Sequence, residues 1–397
     1  MKHNKIKLLL VSLFVIVTLF FSNDFGLIDI ERTAIITALA IDYTDSDSLY
    51  EVTAQIAVPE ATDANTESKH AQIIGKGGTI AGAIKNVGDV SGWYPNMSFC
   101  NLLIISRDMA KTNVLTALDF FSKTLRLQDS ALVVMADEKA KDLLYDSTPL
   151  DDISSFALQK IIIKNAGFKN DVVVTDIKNF CTGYYSSNSS SYMPIIKTIK
   201  QNKESESGEK SSPSNATKTP SNGNTSKDNT LFIADTTALF KDGVMVGELD
   251  KYQSFAFNLL TKNMRDSIYE LSASDDINYL VTINKNKRKI KINATENELN
   301  IIITLDLYCK VGDHNAPVSE SAPSSNVRLP LAVQKTAEEL FTQKINELIE
   351  TQRQTNCDFL NIKQEIYKKN FKFYTTYKDN YLSQMKVDVS VNVYGQE

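Results

Sequence analysis

Residues 331–352 read LAVQKTAEELFTQKINELIETQ and residues 385–393 read MKVDVSVNV, and these two stretches decide the fold class. The first has apolar side chains at helical spacing and predicts a long amphipathic helix. A second helix is expected from about Phe359. In the last stretch valines alternate with polar residues, which predicts a strand with one buried face. The chain should therefore end strand–helix–helix–strand, with the last strand paired to a sheet in residues 279–311.

Upstream of this ending, β-rich runs predict antiparallel pairs. Residues 231–240 and 244–249 flank Lys241-Asp242-Gly243, a connection typical of a hairpin. Within residues 279–311 the alternation of apolar side chains predicts three antiparallel stretches, with a turn at Asn284–Lys287.

Strand-like and helix-like runs alternate between residues 34 and 181, which predicts a mixed α/β layer. Residues 34–41 and 50–58 should form a hairpin, Gly75–Gly78 should lead into an amphipathic helix, and Asp152 should cap a later helix.

Residues 201–229 consist almost entirely of Ser, Asn, Thr, Lys, Glu, Pro and Gly. Such a composition buries too little apolar surface to offset the entropy of ordering. The composition leaves a domain linker and a long loop equally open.

The amino terminus has the pattern of an export signal. Lys2, Lys5 and Lys7 precede the apolar run Leu8–Phe21, an arrangement that directs a chain into a membrane. As a helix the run spans about 21 Å, short of the ~30 Å hydrocarbon core, which favours a signal peptide. No small-x-small cleavage pattern follows, so we favour an uncleaved anchor with the rest of the chain outside the cytoplasm, and cleavage stays open.

The composition argues against several classes of protein. The net charge of the 397 residues is -5, whereas a general nucleic-acid binder needs a basic face. The chain has four cysteines, with no C-x-x-C pair, and three histidines. This composition disfavours structural zinc, a disulfide scaffold and acid–base catalysis.

No nucleotide-binding, hydrolase or metalloprotease motif is present, so no catalytic, cofactor-binding or metal-binding residue is predicted. The residues considered for such roles have plainer interpretations. We interpret Cys100 and Cys309 as small buried side chains, and His70 and His314 as solvated loop residues. The remaining candidates, interpreted as a turn and as helix caps, are Gly75, Gly77, Gly78, Asp151–Asp152 and Asp275–Asp276.

One aromatic stripe allows a second interpretation. Its members are Tyr367, Phe371, Tyr374, Tyr377 and Tyr381. Helical spacing favours a place in the core, and the alternative is a helix face that docks a partner protein.

An ordered set of segments resembles the Ger(x)C family, the C subunits of the nutrient germinant receptors of endospore-forming bacteria. Among them are the strand ending Ala40-Ile41-Asp42, the stretch Leu103-Ile104-Ile105-Ser106, and Thr237-Ala238-Leu239-Phe240-Lys241-Asp242-Gly243 followed by Val246-Gly247-Glu248-Leu249. Further matching segments are residues 30–35, 50–56, 78–86, 110–126, 140–144, 194–197, Asp358-Phe359, and the closing valine strand with Gly395.

The resemblance implies an α+β protein of three mixed domains with antiparallel-rich sheets behind an amino-terminal signal or anchor helix. The expected units are a signal or anchor at residues 1–28, an α/β domain at 29–181, a middle domain at 182–275 with a flexible insertion at 201–229, and a carboxyl-terminal α+β domain at 276–397. Family members typically carry a lipidated cysteine before the first strand. Residues 25–31 contain none, so Leu8–Phe21 would have to anchor the protein.

The family implies a non-enzymatic subunit of a germinant receptor in the spore inner membrane, on its outer face. The implied partners are the multi-pass A and B subunits and the membrane, without nucleic acid or cofactor; contact with the small-molecule germinant and the docking residues stay open. The alternative from another class is an extracytoplasmic solute-binding protein, which would need a cleft between two domains of similar form.

Overall fold

The computed structural model describes residues 6–7, 10–17, 33–44, 50–57, 70–123, 127–146, 148–200, 230–272, 277–315 and 328–396. The described strands form two sheets, and helices pack against both, so the α+β fold class is confirmed. Residues 10–17 are helical. Within the described ranges, no helix combines the length and apolar composition needed to cross a membrane. Part of the expected anchor, including residues 18–21, lies outside the described residues.

The larger sheet has the order β10-β9-β8-β6-β5-β1-β2-β3, and β4 and β7 pair with β1 and β6. Its strands are β1 (Thr33–Tyr43), β2 (Tyr50–Ala57), β3 (His70–Gly77), β4 (Tyr94–Asn96), β5 (Leu102–Ile105), β6 (Leu132–Ala136), β7 (Thr175–Asp176), β8 (Ser190–Lys200), β9 (Thr230–Lys241) and β10 (Val244–Leu249). Its helices are α1 (Ile80–Ser91), α2 (Arg107–Thr112), α3 (Leu115–Lys123), α4 (Asp142–Tyr145), α5 (Ser154–Lys164), which continues as one π turn (Asn165–Lys169), and α6 (Ile177–Tyr185).

The smaller sheet has the order β11-β12-β13-β14. Its elements are α7 (Lys251–Thr261), β11 (Ser267–Ser272), β12 (Asn278–Ala294), β13 (Leu299–His314), α8 (Leu331–Gln354), α9 (Ile362–Lys369), α10 (Phe371–Tyr377), α11 (Tyr381–Gln384) and β14 (Met385–Gly395). β14 runs parallel to β13, Val387 opposite Ile301, which confirms the predicted pairing of the last strand.

Both predicted hairpins are confirmed. β1 pairs antiparallel with β2, and β9 with β10. Asp242 and Gly243 at the tip of the second hairpin have φ angles of 52° and 81°. That pair of left-handed residues matches the twist of the flanking strands, which explains the Asp-Gly sequence.

Three local predictions are wrong. The turn expected at Asn284–Lys287 is a bulge in a continuous strand, because β12 shifts register between Ile283 and Lys285 and then continues to pair with β13. The second helix of the ending is broken into α9, α10 and α11, since Asn370 leaves the helical conformation with a φ of −138°. Asp152 does not cap α5, which begins at Ser154 after Ile153.

The segment 201–229 lies outside the described residues, but its ends are placed by the sheet. Lys200 and Thr230 are register partners in the antiparallel pair β8–β9. The segment therefore connects two neighbouring strands. The strands of residues 190–249 belong to the same sheet as those of residues 33–136, and the division of the chain at residues 181 and 275 stays a prediction.

Gly75 and Gly77 let helix α1 lie directly on strand β3. A Cβ atom at Gly75 would stand 2.1 Å from the carbonyl oxygen of Ala83, and one at Gly77 would stand 2.6 Å from the Ala83 nitrogen. The glycines predicted as a turn therefore serve a close strand–helix approach.

A buried polar cluster joins the smaller sheet's helices to the larger sheet. The carboxylate of Asp358, in the loop after α8, accepts hydrogen bonds from the backbone N–H groups of Ile362 and Lys363 at 2.8 Å and from Gln352 Nε2 at 3.0 Å. The Asp358 N–H donates to Ser190 Oγ at 3.0 Å, and Asn188 Nδ2 donates to its carbonyl oxygen at 2.8 Å. Since Asn188 and Ser190 lead into β8, the cluster bridges the two sheets.

We expect Asp358→Ala to lower the free energy of unfolding by about 1–3 kcal/mol at neutral pH, because it leaves three buried donors without an acceptor. Burial raises the pKa of Asp358 in the folded chain. The contribution of this carboxyl group to the free energy of unfolding is therefore largest below the ordinary aspartate pKa, and it falls as the pH rises from there through the raised value. The difference between wild type and variant should therefore be largest in acid. Urea unfolding of the full chain in mild detergent measures it, with the exposed Asp388→Ala as control. Equal midpoints for the two variants would contradict this account.

Candidate docking surface

The cysteines are buried side chains, as the sequence predicts for Cys100 and Cys309. Among the four, Cys181 has the largest exposed fraction, 7%. Burial raises the pKa of Cys100, Cys309 and Cys357 to about 12 and raises that of Cys181 as well. None of these thiols is activated for nucleophilic chemistry.

The histidines and acidic pairs considered from the sequence are not brought together. The interpretation of both histidines as solvated loop residues is wrong, because each is a partly buried strand residue. His70 begins β3 in the larger sheet, whereas His314 ends β13 in the smaller one and lies 5.8 Å, ring to ring, from Tyr279. Asp151 pairs with Lys160 at 2.6 Å. Asp275–Asp276 lies outside the described residues. In the part of the chain that is described, no cluster of three metal-ligating side chains occurs.

The aromatic stripe divides into a buried and an exposed half. Tyr377 and Tyr381 are in the core, and the Tyr377 hydroxyl donates to the Thr295 carbonyl at 2.7 Å. Tyr367 and Phe371 are 51% and 66% exposed. With the partly buried Tyr374 they form the aromatic cluster, whose ring centroids lie 5.1 and 5.2 Å apart. One half of the stripe therefore lies in the core, as helical spacing favours, and the docking interpretation of the exposed half stays a prediction.

A row of lysines stands on the outer face of the smaller sheet. Lys285, Lys287, Lys289 and Lys291 occupy alternate positions of β12, so their side chains share one face, and all four are exposed. Within the described residues none of the four forms an ion pair. Lys287 Nζ lies 5.2 Å above the Tyr308 ring. We did not single out this lysine row from the sequence, although its period of two is visible there.

The lysine row and the aromatic cluster lie side by side. Lys369 Nζ, at the end of α9, donates to the Ile290 carbonyl at 3.4 Å, and Asn370 Nδ2 donates to the Ile292 carbonyl at 2.9 Å. The helices that carry the aromatic cluster therefore line the edge of β12. We call the two features together the docking surface.

A cleft of about 750 Å³ opens at one end of the lysine row. It lies between the α7–β11 connection and β12. Arg288 is held there by hydrogen bonds to the carbonyls of Thr261 and Lys262, at 3.0 and 2.8 Å. The residues that line the cleft are Asn263, Met264, Arg265, Asp266, Asn284, Lys285, Asn286, Lys287 and Arg288. The excess of positive charge favours acidic groups at this end of the docking surface.

Fold and surface together define an α+β protein whose candidate site is an open basic and aromatic face. The family described as "Spore germination protein N-terminal domain" matches residues 27–198, and that described as "Spore germination B3/ GerAC like, C-terminal" matches residues 235–395. The chain therefore belongs to the GerAC-like family of spore germination proteins, and the Ger(x)C resemblance is confirmed.

The crystal structure of the GerBC protein superimposes with a TM-score of 0.48 at 14% identity, covering 92% of this chain and 99% of that one. No curated protein matches the chain.

We expect the native protein to resist thiol labelling by iodoacetamide at pH 8. With a pKa of about 12, only about one thiol in ten thousand is ionised at that pH. Mass spectrometry measures the number of adducts, and unfolding in urea should expose all four cysteines. Rapid labelling of Cys100, Cys309 or Cys357 in the native protein would contradict the buried placement.

Proposed function

We propose that this protein is a non-enzymatic subunit of a nutrient germinant receptor in the spore inner membrane. Its family membership supports a role in spore germination. The amino-terminal segment would hold the chain at the membrane, with residues 33–396 on the outer face. Its task would be to bind the multi-pass A and B subunits of the same receptor.

The observation that carries the proposal is the docking surface. Four exposed lysines without ion pairs among the described residues keep their charge free for a partner, and exposed aromatic side chains supply apolar contact area. Aromatic anchors beside complementary charges are typical of protein interfaces. We therefore expect the partner to bind this surface through an acidic extramembrane segment with apolar side chains.

We expect the triple variant Lys287→Glu, Lys289→Glu, Lys291→Glu to lose its receptor partners. The introduced carboxylates should repel an acidic segment of the partner and lower the recovery of multi-pass subunits by about tenfold. A detergent pull-down of a tagged copy from dormant-spore membranes, read by mass spectrometry, measures the recovery. The matched control reverses three exposed lysines in two helices and a loop beside the larger sheet, Lys111, Lys139 and Lys178.

An independent variant tests the aromatic half of the docking surface. Phe371→Ala removes the most exposed ring of the aromatic cluster and should reduce partner recovery by about tenfold without changing stability. The control Phe168→Ala removes a ring that is 57% exposed elsewhere. Full recovery with both docking-surface variants would refute this surface, and a wild-type copy recovered alone would refute the proposed function.

A further inference from the structure

A second exposed apolar surface lies at the opposite end of the larger sheet. This surface lies where the chain passes from the end of α1 into β4. Val90, Trp93 and Tyr94 are 68%, 42% and 57% exposed, and Phe99 follows at 60%. We call Val90, Trp93, Tyr94 and Phe99 the aromatic corner. Trp93 is the single tryptophan of the chain.

The backbone presents the aromatic corner on a fixed turn. Gly92 ends α1 in the left-handed conformation, with a φ of 72°, and its N–H donates to the Gly88 carbonyl at 2.8 Å. The Trp93 N–H donates to Ser91 Oγ at 3.2 Å. A Cβ atom at Gly88 would stand 3.0 Å from the Pro95 ring, so the turn packs closely on the helix. The exposed rings are therefore held outward by a defined loop.

The chain enters the larger sheet at this corner. Thr33, the first residue of β1, pairs in parallel register with Tyr94, and Ala34 with Pro95. The apolar run ends at Phe21, and residues 22–32 reach at most about 40 Å when fully extended. A membrane that holds the apolar run therefore lies within reach of the aromatic corner.

The surroundings of the corner are close to neutral. Lys85 and Asp89 line the adjacent groove and pair with each other at 2.6 Å. A second, apolar groove passes under Trp93, lined by Ala34, Ile56, Ala57, Ala71 and Ile73 among others. Trp and Tyr prefer the interface between lipid headgroups and acyl chains. A neutral aromatic surface suits that interface better than it suits an ionic partner.

We propose that the aromatic corner rests in the lipid interface of the membrane and orients the protein on it. The inference rests on the membrane attachment in the proposed function and adds a second contact with the bilayer. Trp93 and Tyr94 insert their rings at headgroup level while the apolar run holds the chain. The protein then has a fixed face toward the membrane instead of tumbling on a tether.

Trp93 reports its own position by fluorescence. The full chain is reconstituted into phosphatidylcholine vesicles with or without brominated acyl chains, which quench tryptophan on contact. We expect at least about twofold quenching of Trp93. The control Trp93→Phe with Tyr394→Trp moves the single tryptophan to the outer face of the smaller sheet, where it should keep its full emission.

A second pair of variants tests the cause of the quenching. Tyr94→Glu places a carboxylate in the aromatic corner and should abolish most of the quenching, because charge at the interface is costly. Tyr367→Glu, at a site of similar exposure far from the corner, should leave it unchanged.

The remaining outcomes overturn the inference in distinguishable ways. Trp93 quenched by aqueous acrylamide but not by brominated lipid would place the corner in water. Trp93 protected from both quenchers would mean that protein covers it, residues 22–32 included. In both cases a chain that sediments with the vesicles leaves the membrane attachment intact. A chain that stays in the supernatant would instead refute the attachment itself.

Discussion

The buried hydrogen bonds of Asp358 join the carboxyl-terminal helices to the larger sheet. Asp358 has no cation beside it among the described hydrogen-bond partners, and its carboxylate accepts hydrogen bonds from two backbone N–H groups and the Gln352 amide, among others. Its own backbone N–H and carbonyl bind Ser190 and Asn188 before β8. Burial of such a group costs free energy unless every lone pair is occupied. The cluster therefore fixes the position of the carboxyl-terminal helices relative to the larger sheet. The position of the docking surface is fixed with it.

Local signals in the sequence predicted the elements whose physical cause is itself local. The left-handed pair Asp242–Gly243 requires a hairpin tip, and the alternating valines of β14 require a half-buried strand. The errors occurred where distant contacts decide. The polar residues from Asn284 to Lys287 resemble a turn, yet Asn286 is buried and holds the carbonyls of Leu259 and Lys262 at 2.7 and 3.0 Å. A turn and a bulge have the same composition, and only the partner strand distinguishes them.

For the same reason, the sequence alone indicated only the aromatic half of the docking surface. Helical spacing in 367–381 indicated one apolar face but could not show that the helix breaks at Asn370, whose side chain binds the Ile292 carbonyl. Tyr367 and Phe371, on either side of the break, are exposed, while Tyr377 stays in the core. The lysines of β12 have the simplest pattern on the surface, alternation along a strand. Their meaning depends on the helices that cover the opposite face of the smaller sheet, which no local pattern reports.

The docking surface and the aromatic corner can act at the same time because they lie at opposite ends of the molecule. The smaller sheet's helices contact β9 and β10, whereas the aromatic corner belongs to α1 and β4 near the β3 end. Five strand spacings separate β10 from β1, the strand that β4 pairs with, and at about 4.8 Å each they amount to about 24 Å. That distance exceeds the ~8 Å Debye length at physiological salt several times. Charges near the aromatic corner therefore contribute little to the potential at the lysine row, and in the proposed arrangement a protein resting on the aromatic corner would keep its basic face for an acidic partner.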